Sequence, residues 1–316
     1  MLTSMLRPTY GLLLMAMITC LSSGGSVRAE DGADAGDAKS TAATMKVASI
    51  SFVPEKWNKV ANADRLEKEI RRAKEAGAEL VVTPEGMLEG YVVNEVINEK
   101  DAAKKQELTN RFQELAEPID GPFIQRFQKL ADVLNIYLIL GFLEADKNSA
   151  RTFNTAALIS PDGKLMGTYH KTHFHQGYEV NPPGYTAGNE YPVFTVRDPK
   201  SDRELKVGMM ICFDRQLPEP ARQLTLNGAE LIACPSYGSW GNWNTRLMQV
   251  RAYENQAYVI FSHPQQSLLI DRDGEIMQEG KEDGFAITTI DLDQLQKTRQ
   301  SVRNRRPETY RDEAKP

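Results

Sequence analysis

The chain has 316 residues, of which 41% are hydrophobic and 26% are charged, and its formal net charge is −5. This composition is typical of a globular enzyme and excludes a disordered or fibrous protein. A nucleic-acid surface would need a clustered excess of lysine and arginine, so the acidic balance argues against a nucleic-acid partner.

The first 29 residues have the layout of a cleaved export signal. A positively charged segment precedes an apolar run at residues 11–21, and Ala29 ends a small-residue cleavage site. The run is shorter than the roughly 18 apolar residues that a membrane span needs, so no integral membrane span is expected. Cys20 leaves lipid attachment open as an alternative, and an uncleaved N-terminus is another. We expect a periplasmic or secreted protein.

Residues 30–44 are small and acidic without periodicity, which predicts a flexible linker before one domain at residues 45–316. The predicted elements of the first half are a strand at 46–53, a helix marked by Leu66, Ile70, Ala73 and Gly77, a strand at 79–83, a helix at 123–134, a strand at 136–142 and a hairpin of 152–159 and 164–169. Those of the second half are a strand at 206–211, a helix at 217–227, a strand at 230–233, a helix at 243–256, a strand at 258–262 and a hairpin around 271–274. Helices and strands mixed with hairpins indicate α/β layers with parallel and antiparallel pairs.

Three of these strands end at a reactive side chain, namely Glu85, Lys171 and Cys212. In open α/β sheets, sites collect outside the carboxyl ends of strands, so the three groups are candidates to converge. Taken singly, a charged residue at such a position is more often a solvated terminus, and a lone cysteine more often a core residue.

In their order and spacing these segments resemble the nitrilase (carbon–nitrogen hydrolase) superfamily, from about Met45 to Tyr310. The matching motifs are Pro84-Glu85, Tyr169-His170-Lys171 and Ile211-Cys212-Phe213-Asp214-Arg215, with supporting stretches at 154–156, 160–163 and 305–308. The resemblance implies a four-layer αββα sandwich with mixed sheets that pairs into a homodimer or a higher homo-oligomer. It implies no cofactor and no metal.

The family chemistry that the resemblance implies uses a cysteine nucleophile. Glu85 would take the proton of Cys212, and the thiolate would attack an amide carbonyl to form a thioester. Lys171 and the backbone N–H of Phe213 would stabilise the oxyanion. A second glutamate is implied eight positions beyond the lysine, where Glu179 stands, to position Lys171 and the attacking water.

Nitrile-cleaving members of the family commonly carry Trp-Glu after the cysteine, whereas this chain has Phe213-Asp214-Arg215, so the resemblance implies a small linear amide or N-carbamoyl substrate rather than a nitrile. Arg215 suggests a substrate carboxylate, because a guanidinium pairs with a carboxylate through two hydrogen bonds, although a structural salt bridge is an equal alternative. Tyr237, Trp240 and Trp243 would suit the wall of a small-molecule pocket or, equally, the core. Cys234 ends an apolar run, which predicts an inert buried thiol.

Three alternatives remain open. An acyltransferase would pass the same thioester to an amine rather than to water. A zinc hydrolase would draw on the cluster of His170, His173 and His175, with a further ligand from His263 or an acid, although Lys171 inside the cluster would weaken metal binding. A binding or scaffold module would keep the fold without the chemistry.

Overall fold

The computed structural model describes residues 43–175, 184–198, 200–282 and 284–310. The predicted export signal at residues 1–29 and nearly all of the predicted linker at residues 30–44 lie outside this part of the chain. None of the helices in these ranges is long and apolar enough to cross a membrane.

The described residues form thirteen strands and seven α-helices. The strands are β1 (Thr44–Ser51), β2 (Leu80–Val82), β3 (Glu117–Pro118), β4 (Tyr137–Ala145), β5 (Thr152–Ile159), β6 (Leu165–His170), β7 (Val193–Arg197), β8 (Glu204–Met209), β9 (Leu231–Pro235), β10 (Tyr258–Ser262), β11 (Gln266–Ile270), β12 (Ile276–Lys281) and β13 (Gly284–Asp291). The helices are α1 (Lys59–Glu75), α2 (Val93–Asn98), α3 (Ala102–Leu115), α4 (Pro122–Leu134), α5 (Pro218–Leu226), α6 (Asn242–Asn255) and α7 (Gln300–Arg303).

The strands form two mixed sheets. The first has the order β13-β1-β2-β4-β5-β6, with β3 also paired to β4, and the second has the order β12-β11-β10-β9-β8-β7. The central strands are parallel in both sheets. In the first sheet β2 pairs in parallel with β1 and with β4, and in the second sheet β9 pairs in parallel with β8 and with β10. Parallel strands bring their carboxyl ends to one edge of a sheet, which is where ligand sites collect in α/β proteins.

Three buried apolar clusters separate four layers. The first lies between the sheets, where Val47 and Ile139 of the first sheet and Val207 and Ile260 of the second belong to one cluster. The second packs α1 and α4 against the outer face of the first sheet, and the third packs α5 and α6 against the outer face of the second. The chain therefore has the predicted four-layer αββα sandwich with mixed sheets.

Helix α1 shows how local sequence produces one of these layers. The Asn58 side chain accepts a 3.1 Å hydrogen bond from the Ala61 N–H and so caps the helix start. Leu66, Ile70 and Ala73 recur at helical spacing and are all fully buried. The helix therefore presents one apolar stripe to the sheet, as the sequence predicted. It ends at Glu75, so the prediction was wrong for Gly77, whose φ of +96° is not helical.

Both predicted hairpins are confirmed, since β5 pairs antiparallel with β6 and β11 with β12. The sequence pattern missed α2, α3, α7, β3, β7 and β13. Strand β13 pairs with β1, so that Gly284 lies opposite Ser51 across more than 230 positions of the chain. A pairing between the two ends of a domain leaves no local signal, because periodicity reports only on nearby residues.

Candidate active site

The three reactive side chains follow strands of both sheets. Glu85 comes three residues after β2, and Lys171 directly follows β6 in the first sheet. Cys212 comes three residues after β8 in the second sheet. A site that uses all three groups therefore draws on both sheets of the sandwich.

Glu85 and Lys171 form a buried ion pair. Lys171 Nζ donates to Glu85 Oε1 over 3.0 Å, and neither side chain is exposed. The same oxygen accepts a 2.7 Å hydrogen bond from Asn154 Nδ2 on β5. Each charge needs its partner, since an uncompensated buried charge is strongly destabilising. Asn154 is a site residue that the sequence marked only as part of a supporting stretch.

A close approach between the Glu85 turn and β4 requires the glycine at position 141. A Cβ on Gly141 would lie 2.2 Å from the Pro84 carbonyl oxygen and 3.1 Å from Glu85 Cα. The Gly141 N–H donates to Thr83 Oγ1 over 2.9 Å, and the Met87 N–H donates to the Gly141 carbonyl over 3.0 Å. These contacts hold the backbone that carries Glu85 against a central strand.

Cys212 lies at a sharp turn from β8 into the 3₁₀ helix Cys212–Gln216. Its φ of +46° is in the left-handed region, which costs a non-glycine residue about 1–3 kcal/mol and recurs at functional sites. A Cβ on Gly238 would lie 3.6 Å from the cysteine sulfur, so the backbone of that loop faces the thiol. The turn therefore places the sulfur beside the backbone at Gly238.

The backbone N–H of Phe213, the residue after the cysteine, is the predicted oxyanion donor. Within the part of the chain that the structure describes, the Phe213 N–H donates to no backbone or side-chain acceptor. The next amide differs, because the Asp214 N–H donates to the Ile211 carbonyl over 3.0 Å. A free N–H at the start of a helix, next to a nucleophile, is suited to a developing negative charge.

Asp214 ties the cysteine turn to the lysine segment. Its fully buried carboxylate accepts or shares hydrogen bonds with the Tyr169 hydroxyl (2.7 Å), the Ile211 N–H (2.8 Å), the Thr172 hydroxyl (2.9 Å), the His173 N–H (2.9 Å) and His173 Nδ1 (3.0 Å). Burial, and then the Asp214 charge, raise the pKa of Tyr169 well above its usual value, so its hydroxyl stays a donor. Lys171 lies between these donors, and its backbone is thereby fixed relative to Cys212.

The Arg215 guanidinium is fully buried and contacts the cysteine. Nη1 donates to Cys212 Sγ over 3.1 Å, and Nη2 donates to the Gly238 carbonyl over 2.7 Å and to Asn244 Oδ1 over 2.8 Å. Burial acts to lower the pKa of Arg215, but the nearby cysteines and Glu85 outweigh it, so the pKa is raised and the group stays cationic. The predicted contact of Arg215 with a substrate carboxylate stays a prediction.

The aromatic residues predicted as substrate contacts flank the Gly238 loop. The Tyr237 ring stacks on Tyr91 with centroids 4.5 Å apart. Trp240 is 43% exposed and its ring lies 5.7 Å from that of His175. Since Trp243 is also exposed, the core alternative is wrong for both tryptophans. Tyr237 and Trp240 remain candidates for the pocket wall.

Glu89 is a buried carboxyl that the sequence analysis did not single out. Its Oε2 accepts a 3.0 Å hydrogen bond from the Leu143 N–H, whereas Oε1 has no hydrogen-bond partner among the described residues. Burial raises the pKa of Glu89 to about 7, and the nearby Glu85 adds to the shift. A glutamate inside the otherwise apolar and glycine-containing segment 86–93 was the available signal.

Cys234 has the inert environment that the sequence predicted. The thiol is fully buried on β9, and burial raises its pKa to about 12. Because the thiolate is the reactive form of cysteine, this group is unreactive near neutral pH.

The three clustered histidines have separate partners. They are His170 beside Glu144, His173 beside Asp214, and His175 beside the Phe213 ring. Across the described ranges, no three His, Cys, Asp or Glu side chains are grouped to hold one metal ion. Glu179, the predicted second glutamate, lies outside the described residues.

Known proteins are similar to this chain in sequence and in fold. The family described as "Carbon-nitrogen hydrolase" matches residues 46–300. A citrullinase of Francisella tularensis is 31% identical over 283 residues, covering 80% of this chain and 92% of that protein. An N-carbamoylputrescine amidase of Arabidopsis thaliana is 30% identical over 287 residues, covering 80% and 88%. The crystal structure of Saccharomyces cerevisiae Nit3, a member of branch 10 of the nitrilase superfamily, has a TM-score of 0.69 at 23% identity and covers 84% of this chain and 97% of its own.

Proposed function

Because this chain belongs to the carbon–nitrogen hydrolase family and is a hydrolase of non-peptide C–N bonds, we propose that it cleaves a small linear amide or N-carbamoyl compound through a thioester on Cys212. The observation that carries the proposal is the buried Glu85–Lys171 pair, held near the Cys212 turn by the hydrogen bonds of Asp214. A base, a cation and a thiol on separate strand ends are the parts that acyl transfer from an amide requires.

The proposed acylation half uses these groups in order. Glu85 accepts the thiol proton of Cys212, and the sulfur attacks the carbonyl carbon of the substrate. Negative charge moves onto the carbonyl oxygen, where Lys171 and the Phe213 N–H stabilise it. Glu85 then returns the proton to the leaving nitrogen, the C–N bond breaks, and the amine or ammonia departs.

The proposed hydrolytic half restores the enzyme. Glu85 takes a proton from water, the hydroxide attacks the thioester, and the oxyanion forms again beside Lys171. The C–S bond breaks, the acid is released, and the proton on Glu85 returns to the thiolate. We assign Glu179 to positioning Lys171 and this water, on the resemblance of its spacing to the family alone.

The names of the two relatives favour a carbamoyl group as the reacting centre. Citrulline and N-carbamoylputrescine both carry a terminal carbamoyl group on an amine nitrogen, and we extend this substrate class to the present chain. A panel of N-carbamoyl amino acids, N-carbamoyl amines and small aliphatic amides, scored by ammonia release, tests the proposal. Turnover of at least one panel member supports the function, and no release from any of them contradicts it.

The molecule that takes the acyl group from the thioester can also be identified by measurement. We propose water, and the thioester of an acyltransferase would instead pass to an amine. Adding hydroxylamine to the same assay separates the two, since a hydrolase forms acid without any added amine. Product that forms only when an amine is present would assign the transferase reaction.

An exposed apolar face on α6 supports the proposed homodimer. Trp243, Val250 and Tyr253 lie within one face of this outer helix and are 58%, 48% and 67% exposed. Apolar side chains grouped on an outer helix mark protein–protein contacts more often than they face water. Light scattering after size exclusion should give a dimer or a larger species, and Val250→Glu should shift it toward the monomer. A monomeric unmutated protein at micromolar concentration would refute the assembly.

We propose export on the pattern of the first 29 residues. Mass spectrometry of protein from its native host should place the N-terminus at Glu30 or within a few residues of it. A diacylglycerol mass on Cys20 would establish lipid anchoring instead, and an intact Met1 in a cytoplasmic fraction would contradict export.

A further inference from the structure

The Arg215 guanidinium is held in one place by protein groups on several sides. Nη2 donates to the Gly238 carbonyl and to Asn244 Oδ1, and Asn244 is itself buried. The backbone carbonyl of Arg215 accepts a 3.2 Å hydrogen bond from Arg251 Nε. The donor that reaches Cys212 Sγ is therefore pre-organised, and its orientation does not depend on a bound substrate.

This buried cation lacks a carboxylate partner among the described residues. No carboxylate oxygen there lies within 4 Å of the guanidinium nitrogens, and Nε has no hydrogen-bond partner. The groups in contact are a carbonyl, an amide oxygen and the cysteine sulfur, with the Phe261 ring 5.3 Å away. An unpaired buried charge is unfavourable, and of these contacts only the sulfur can become an anion.

A bidentate contact with a substrate carboxylate would compete with these bonds. A guanidinium has two edges, each of which can donate a pair of parallel hydrogen bonds to a carboxylate, and Nη2 belongs to both edges. The two hydrogens of Nη2 are already donated to Gly238 and Asn244. A substrate carboxylate bound through either edge would have to displace the Gly238 carbonyl or Asn244 Oδ1 and leave that buried acceptor without a hydrogen bond.

We propose that Arg215 is a catalytic residue that stabilises the Cys212 thiolate through the hydrogen bond from Nη1 to Sγ. The assignment deepens the proposed function and rests on Cys212 as its nucleophile. The thiol proton still goes to Glu85, and the charge left on sulfur is matched by Arg215. As the C–S bond forms, charge leaves the sulfur for the carbonyl oxygen beside Lys171. When the thioester is hydrolysed, the C–S bond breaks and Arg215 stabilises the departing thiolate.

The test measures thiol reactivity without turnover. In a Cys234→Ala background, the rate of alkylation by iodoacetamide against pH reports the thiolate fraction of Cys212. The reagent is neutral, so removing a positive charge does not change its approach by steering. Arg215→Gln should raise the thiol pKa of Cys212 by about one unit or more, because charge-assisted hydrogen bonds to an anion favour it by roughly this amount. Alkylation at pH 7 should slow by about tenfold.

A second variant guards against misfolding of the buried arginine site. Asn244→Ala removes one hydrogen-bond acceptor of the guanidinium but leaves Cys212 and Arg215 themselves unmutated, so it should shift the profile in the same direction by less. Arg222→Gln is the matched control, since Arg222 on α5 donates to the Glu254 carbonyl of α6 and not to Cys212, and this variant should leave the profile unchanged. An unchanged profile in folded Arg215→Gln or, if that variant does not fold, in Asn244→Ala overturns the proposal.

The substrate assays separate this inference from the function on which it rests. Arg215→Gln should lose activity on neutral amides and on carboxylate-bearing substrates alike. A loss confined to carboxylate-bearing substrates, with an unchanged alkylation profile, assigns Arg215 to substrate binding and overturns the proposal. A shifted profile in a protein that releases ammonia from no amide would uphold the contact and refute the hydrolase function. Normal ammonia release together with an unshifted alkylation profile in Arg215→Gln would support the hydrolase function and overturn the proposed role of Arg215.

Discussion

The Tyr169 hydroxyl donates a 2.7 Å hydrogen bond to Asp214, and this contact joins the two halves of the candidate site. Tyr169 lies two residues before Lys171 on the first sheet, and Asp214 lies two residues after Cys212 beside the second. The backbones of Lys171 and Cys212, the proposed cation and nucleophile, are thus held in position by the hydrogen bonds of Asp214. Catalysis by orientation requires such support, because a displacement of about 1 Å can cost a hundredfold in rate.

Replacing Asp214 by asparagine should slow acylation while substrate binding changes little. The amide would present N–H groups to donors that now meet a carboxylate, and the lysine segment would lose its fixed position. We expect kcat to fall by about tenfold or more with KM within a few-fold, measured by ammonia release. Tyr191→Phe is the matched control, since the Tyr191 hydroxyl approaches Thr172 at 3.3 Å and not Asp214.

A double-mutant cycle tells positioning from general destabilisation. If Asp214 acts through Lys171, then Asp214→Asn should have little further effect on kcat in the Lys171→Ala background. Equal losses in both backgrounds would show that Asp214 acts elsewhere.

Loss of either member of the buried ion pair should remove most turnover. Lys171→Ala deletes the cation proposed to meet the oxyanion, and Glu85→Gln deletes the proposed base. Each should lower kcat by about a hundredfold or more, the cost of one oxyanion donor. The exposed Lys68 on α1 supplies the control, since Lys68→Ala should leave kcat unchanged. Near-normal kcat in a folded Lys171→Ala enzyme would exclude its role in the oxyanion site.

Glu89 should make folding stability depend on pH. Its native pKa of about 7 lies above the ordinary 4.5, so the native state binds the extra proton between these values. The stability that the protonated form contributes is present below about pH 4.5 and is lost as pH rises through 7. At 1.36 kcal/mol per pKa unit, the loss is at most about 3 kcal/mol. Urea unfolding should therefore find Glu89→Gln more stable than the unmutated protein at pH 8 and about equal at pH 4.5. A constant difference across this range would contradict the assignment.

Most of the fold was predictable because its elements carry local signals. Strand β10 begins and ends at the residues that the sequence predicted. The two hairpins follow from Asp and Gly at both turns, with a Pro at the first. The segment that holds α2 and α3 was missed because α3 buries only Phe112 and so lacks an apolar stripe. Strand β13 was missed because its partner, β1, is distant in sequence.

The sequence predicted which reactive side chains follow the ends of strands, but it did not predict the hydrogen bonds that connect these side chains to their neighbours. Glu85, Lys171 and Cys212 stood out by motif, whereas the contact of Asn154 with Glu85 depends on how β5 lies beside β4. The position of Arg215 depends on the helical turn of Cys212–Gln216, which brings a side chain three residues later back to the sulfur. Side-chain direction of this kind follows from backbone geometry that composition and spacing do not report.

The identity of the nucleophile is tested most directly by the rates of ammonia release of Cys212→Ala and Cys234→Ala on the best substrate of the panel. The account predicts that Cys212→Ala falls to background with its fold intact, because only that thiol lies at the strand end beside Arg215 and the Phe213 N–H. Cys234→Ala should keep most of the activity, since burial holds its thiol protonated. An active Cys212→Ala enzyme together with an inactive but folded Cys234→Ala enzyme would contradict the nucleophile assignment and the mechanism built on it.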